Sequence, residues 1–207
     1  MPRPPRIFFA GAIHHIVARG NNKMSLFHDP NDFRTYRKLW ILAKEQFDLK
    51  IYRWVFMTNH VHVLLEQLRA EGVAEALHFV QSRYARYFCR KNSWKGHVWE
   101  GRYTSRIIAD ERYFLRCALY IENNPVKAGM ITRAEDYPWS SSAFYTKGYQ
   151  DSLTDKDPYS NTVPYDPLTN DLFIGRRAVG DIATLEYLSE RIGRPLIKRS
   201  PRSSYTV

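Results

Sequence analysis

Two β-rich runs, Leu49–Met57 and Val61–Gln67, are joined only by a short polar link at Thr58-Asn59. A link that short cannot carry a crossover, so the two runs must be antiparallel neighbours in one sheet. This pins a hairpin near the middle of the chain and limits what its flanks can be. On the N-terminal side, Asp29-Pro30 reads as a cap and a first helical residue. Phe33, Tyr36, Trp40, Ala43 and Phe47 then recur at helical spacing, predicting a helix over 30–47. On the C-terminal side a second helix is predicted over 72–91, with Val73, Leu77, Val80, Tyr84, Tyr87 and Phe88 facing the core. Residues 7–18 read as a first strand, with a bulge at Gly11, and residues 97–109 alternate well enough for a fourth. A third helix starts at Asp110-Glu111 and stops at Asn124, because Pro125 biases the residue before it away from helical geometry. The order β-α-β-β-α-β-α is that of an α+β, ferredoxin-like (RRM-like) antiparallel sheet with an added helix.

The rest of the chain reads differently. Residues 148–170 are rich in Gly, Pro, Asp, Asn, Ser and Thr. The expected organisation is a core domain over 1–147, a linker over 148–178, and a short helix with a basic tail over 179–207. A chain of 207 residues, 44% hydrophobic, can build one sizeable core, which excludes a disordered polymer. Cys89 and Cys117 lie in apolar helical patterns and read as reduced, packed thiols rather than a disulfide framework. The N-terminus lacks the apolar run of a signal peptide and no stretch has the length of a membrane span, so a cytoplasmic protein with no membrane partner is expected. The net charge of +10 falls wholly within residues 1–150. A basic yet core-forming segment points to a folded nucleic-acid binder.

Three constellations could carry chemistry. In Asn59-His60-Val61-His62-Val63-Leu64-Leu65, side chains two apart share a face, so His60 and His62 project together while Val61, Val63 and Leu65 enter the core. Two imidazoles on one pleat can share a divalent ion, or simply line the exposed face of a half-buried strand. A third alternating histidine is absent, since Leu64 stands there, and neither cysteine has zinc-ligand spacing to a partner. On the third helix Tyr120 and Asn124 are i and i+4, one above the other at the edge of the apolar stripe. They put a phenol beside a carboxamide, or an edge ring beside a helix-capping asparagine. The stretch 83–106 holds seven basic residues, one acid and six aromatics. Arg83, Arg86 and Arg90 alone would fit a solvated helix face, but Trp99, Arg102, Tyr103 and Arg106 interleave rings with charge as nucleic-acid surfaces do, and all seven are the expected DNA-binding residues.

Taken together, the motifs resemble the REP-associated tyrosine transposases, relatives of the single-tyrosine insertion-sequence transposases of the HUH nuclease superfamily. The matching segments are Met-Pro-Arg-Pro-Pro-Arg at 1–6, His-His-Ile-Val-Ala-Arg-Gly-Asn-Asn at 14–22 and Met-Thr-Asn-His-Val-His-Val-Leu-Leu at 57–65. They continue with Val-Trp-Glu-Gly-Arg-Tyr at 98–103, Tyr-Ile-Glu-Asn-Asn-Pro-Val-Lys-Ala-Gly-Met at 120–130 and Tyr-Pro-Trp-Ser-Ser at 137–141. The resemblance implies that His60 and His62 are the metal pair, Tyr120 the nucleophile and Asn124 a third, amide-oxygen ligand. It implies Mg²⁺ or Mn²⁺ as cofactor, the donor types suiting manganese and the resemblance pointing to magnesium. The implied reaction is cutting and rejoining of single-stranded DNA beside palindromic hairpins through a 5′-phosphotyrosine. Residues 1–147 would then be the catalytic domain of a cytoplasmic, nucleoid-associated protein, and a homodimer is compatible with it. The competing expectation is a hairpin-binding protein that performs no strand transfer.

Overall fold

The computed structural model describes residues 8–159, 173–174, 178–180 and 182–191. The first seven elements follow the expected order: β1 (Ile13–Arg19), α1 (Pro30–Gln46), β2 (Leu49–Phe56), β3 (His60–Gln67), α2 (Gly72–Asn92), β4 (Thr104–Ile108) and α3 (Glu111–Glu122). Then come the one-turn α4 (Asn124–Lys127), α5 (Ser142–Lys147), β5 (Phe173–Ile174), β6 (Ala178–Gly180) and α6 (Ile182–Arg191). The strands run in the order β2-β3-β1-β4-β6-β5. Neighbours among the first four are antiparallel, as a ferredoxin-like sheet requires, while β6 lies parallel to β4.

The helix starts are set by the residues that mark them in the sequence. The Asp29 carboxylate accepts from the backbone N–H of Asn31 and Asp32, and the Asp32 carboxylate accepts from the N–H of Asp29, closing a capping box. Asp110 caps α3 by accepting from the N–H of Tyr113.

Alternation then sorts the side chains. Val61, Val63 and Leu65 of β3 pack with Ile16, Ala18, Trp54 and Phe56 beneath α1 and α2. Leu64 points the other way, joining Tyr52, Val55 and Ile108 beneath Phe114, Cys117, Ala118 and Ile121 of α3. The sheet is therefore covered on both faces, which is why β2 is buried at every position except Lys50.

Several boundaries differ from expectation. β1 begins at Ile13, and Gly11, at φ +81°, belongs to the turn before it rather than to a bulge. The irregularity in the sheet lies instead in β2, between Ile51 and Arg53. Of residues 97–109, only Thr104–Ile108 form the strand; Trp99 makes an isolated bridge with Gly20, and Gly101 turns the chain at φ +67°. α3 ends at Glu122 and the chain re-enters a helical turn at Asn124. Pro125 sits in the first turn of α4, where its missing N–H costs nothing.

The packed chain also continues past residue 147, into the stretch expected as a linker. Leu153, Thr154 and Asp157 are buried. Asp155 meets Ile51 twice, its N–H donating to the carbonyl and its carboxylate accepting from the N–H. The Arg53 guanidinium lies between Glu122 (3.2 Å) and Asp157 (2.5 Å), with the Tyr145 ring 3.1 Å over it. Burial raises the Glu122 carboxyl above its ordinary range, and the neighbouring Arg53 pulls it back. Composition could not reveal this anchoring, because the residues that make it are the polar ones that read as linker. The expected helix 179–192 is realised as 182–191, its first residues being taken by β6. The Met1–Arg6 motif, residues 160–172 and the tail from 192 lie outside the described residues.

Candidate active site

The site forms where the β2–β3 turn meets the C-terminal end of α3. Backbone bonds fix the turn: Leu26 and Phe27 both donate to the Thr58 carbonyl, and Gly20 donates to that of Asn59. Glycine is required at position 20, since a Cβ there would stand 2.3 Å from the Met24 carbonyl oxygen.

Asn59 in turn orients the first histidine. Its Nδ2 donates to the Lys23 carbonyl (3.2 Å), so its Oδ1 faces Nδ1 of His60 at 2.7 Å. An oxygen there can only accept, so His60 carries its proton on Nδ1 and presents the Nε2 lone pair. His60 and His62 lie with ring centroids 5.1 Å apart. Burial lowers the basicity of both, and the positive charge of Arg19 adds to the effect. His62, the more buried, is pushed down to about 2, with repulsion from His15 and His60 contributing. Both rings are therefore neutral near pH 7, the form in which imidazole binds a metal.

Tyr120 reaches the same place from α3. Its ring stands edge-on to His62 at 5.5 Å, and its side is open to solvent, 43% exposed. The Lys127 ammonium lies over the ring, 4.9 Å from its centroid. Asn124 is one turn on, as the i, i+4 spacing predicts. Its Nδ2 donates to the carbonyls of Tyr120 (2.7 Å) and Ile121 (3.3 Å), and its side chain reaches the His60 ring. With its Nδ2 bonded to the helix end, the carboxamide oxygen is the atom left to face the site beside His60. The capping and site-facing readings of Asn124 are thus compatible rather than exclusive.

The four residues expected to act together are therefore neighbours. Among the described residues, no three His, Cys, Asp or Glu side chains are grouped to hold a metal, so any ion here would rest on two imidazoles and an amide. That donor set fits a divalent ion: at least one Nε2 is fixed as a lone pair and the rings are neutral.

The residues of the 83–106 stretch are not brought together. Arg83, Arg86 and Arg90 are exposed on α2, across the sheet from α3, with the Arg83 guanidinium 3.7 Å over the Phe79 ring. Trp99 and Tyr103 pack against the α1–α2 core, and the Trp99 indole donates to the Gln81 carbonyl, so Trp99 is not an open platform for bases. Arg102 is exposed in the turn before β4. Arg106 alone faces the α3 side, opposite His15 in the β1–β4 pair.

Sequence reading did not single out His15, Arg19, Asn59 or Lys127 as parts of the site. His15 and Arg19 share one face of β1 with Val17, and Arg19 pairs directly with His60. The alternation that joined His60 to His62 would have found them, once β1 was known to be the neighbour of β3.

Comparison with known proteins agrees with this architecture. The family model described as "Transposase IS200 like" matches residues 9–124, over half of the chain. The chain belongs to the IS200-like transposase family. An uncharacterised Haemophilus influenzae protein is 30% identical over 135 residues, covering 54% of this chain and 71% of its own. A second H. influenzae protein, named "Putative REP-associated tyrosine transposase", is 25% identical over 148 residues, covering 66% of this chain and 82% of its own. The solved structure of a REP-associated tyrosine transposase bound to a REP hairpin shares the fold, with TM-score 0.61 and 19% identity over 76% of this chain and 93% of that one. No described helix is long and apolar enough to cross a membrane.

Proposed function

We propose that this transposase cuts and rejoins single-stranded DNA beside palindromic hairpins, with Tyr120 as the nucleophile. The observation that carries the reading is the convergence of an exposed phenol on two neutral strand histidines and a carboxamide. In the forward step the Tyr120 oxygen bonds to phosphorus as the bond to the 3′ oxygen breaks. The phenol gives up its proton and the departing 3′ oxygen gains one. The products are a 5′-phosphotyrosine and a free 3′-hydroxyl, and the reverse attack rejoins strands without an external energy source.

His60, His62 and Asn124 would hold a divalent ion, Mg²⁺ or Mn²⁺. Bound there, the ion supplies positive charge to the non-bridging phosphate oxygens. Asn59 holds the tautomer of His60. Arg19 and Lys127 place fixed positive charge around the phosphate position, where it favours the build-up of negative charge during transfer. The hairpin bound by the structural relative supports hairpin DNA as the partner.

Tyr120→Phe tests the reading. The variant removes one oxygen from a partly exposed ring, so it should fold and bind a hairpin oligonucleotide as wild type does. The covalent adduct should fall by at least ~10³-fold, as expected when a nucleophile is removed. EDTA should abolish the adduct of wild type, and Mn²⁺ should restore it. An adduct mapped to another tyrosine overturns the assignment, and no adduct from wild type favours hairpin binding without strand transfer.

A further inference from the structure

His15 has no part in the proposed chemistry, yet it is among the most buried polar groups of the α3 face, at 6% exposure. Its Nε2 lies 2.9 Å from Nδ1 of His62, and the two rings stack at 5.2 Å with an interplanar angle of 23°. The Tyr120 ring meets His15 edge-on at 6.3 Å. The position follows from register: β1 pairs with β3 so that Val17 faces His62 and His15 faces Leu64, putting His15 diagonally next to His62 on the same face.

A neutral imidazole carries one proton, so a hydrogen bond between two such rings settles which nitrogen of each is protonated. Two arrangements exist. If His15 donates, the His62 proton moves to Nε2 and the lone pair facing the site is lost. If His62 donates from Nδ1, its Nε2 lone pair is turned outward, matching what Asn59 does for His60. We infer that His15 is the positioning residue that holds His62 in the Nδ1–H tautomer, as a buried acceptor behind the metal-facing ring. The inference rests on the metal reading of His60 and His62. It gives successive ligands of one strand two separate supports, an amide oxygen at the turn and an imidazole nitrogen on the next strand. Outer partners of this kind govern ligand orientation and metal affinity.

The test uses the full-length protein and needs no DNA. Histidine ¹⁵N–¹H correlation spectra of the metal-free protein above pH 7 report the tautomer of each ring directly. Wild type should show His62 protonated on Nδ1. His15→Phe, which fills the volume but offers no acceptor, should move His62 into a mixture of tautomers. It should also weaken Mn²⁺ binding, measured by calorimetry, by about 10–100-fold. His15→Gln, whose side-chain oxygen can accept from the same direction, should restore both readouts most of the way. His62 protonated on Nε2 in wild type overturns the role of His15 and leaves the metal reading standing. Unchanged tautomer and affinity in a folded His15→Phe overturn it equally. Wild type that binds no Mn²⁺ defeats the metal reading itself, and the role of His15 falls with it.

Discussion

Against α1 and α2 the sheet is sealed: Tyr36, Trp40, Tyr84 and Phe88 lie fully buried over Trp54, Phe56 and Ile16. Against α3 it is sealed at one end only. Phe114, Cys117, Ala118 and Ile121 cover Tyr52, Val55, Leu64 and Ile108, but near the β2–β3 turn the apolar cover gives way to Tyr120, His60 and His62. The same strands build both faces, and residue parity decides which face a side chain serves. On β3, positions 61, 63 and 65 hold the protein together, while positions 60 and 62 face the open end beside Tyr120. A chain can therefore carry strongly desolvated polar groups on one face because the other supplies most of the apolar burial.

If that division is right, the two faces should fail in different ways. The largest loss of stability should come from the sealed face. Phe88→Ala empties a fully buried site and should cost about 3–5 kcal/mol in denaturant unfolding. Any protein still folded should keep the Tyr120 adduct. Loss of the adduct in folded Phe88→Ala would mean the faces are not independent. Next in size is the clamp beneath the open face. Asp157→Ala leaves the buried Arg53 with Glu122 as its remaining carboxylate among the described residues, and should cost up to about 3 kcal/mol, the low end for breaking a buried pair. No change in stability would show that the 151–159 segment merely rests on the domain. The smallest effect is expected from the outer surface of α2. Replacing Arg83, Arg86 and Arg90 together with Ala should leave stability and adduct formation intact. If that surface contacts DNA, the salt dependence of hairpin binding should weaken by about one phosphate contact per arginine lost. An unchanged slope would assign the DNA path to the α3 side, where Arg19, Arg106 and Lys127 lie.

Much of the frame is legible in residue order. The short Thr58-Asn59 link, the Asp29-Pro30 and Asp110 caps and the alternation of β3 each act within a few residues, so they can be read along the chain. The His60–His62 face and the Tyr120–Asn124 stack are legible for the same reason. What cannot be read depends on pairing between distant segments. His15 becomes part of the site only through the β1–β3 register, and Arg19 only because that register sets it opposite His60. Trp99 looks like an open ring among charges, yet the Gly20–Trp99 bridge folds it inward. The half-buried carboxylate of Asp155 and the buried one of Asp157 look like linker residues until Ile51 and Arg53 are found opposite them. The family resemblance carries the expected grouping of Tyr120 with the histidines further than spacing could, since spacing does not say which face of the sheet α3 covers.

The tip of the β2–β3 hairpin is tied down by main-chain atoms, through the carbonyls of Thr58 and Asn59. Such ties do not depend on which side chain occupies position 58. Over generations of mutation, that position is free to drift among residues of similar backbone preference, while insertion of a single residue would break three bonds at once and slide His60 and His62 to the wrong face. Length, more than composition, is what the lineage of this hairpin must conserve, and Asn59 is the one side chain at the tip whose loss would be felt at His60.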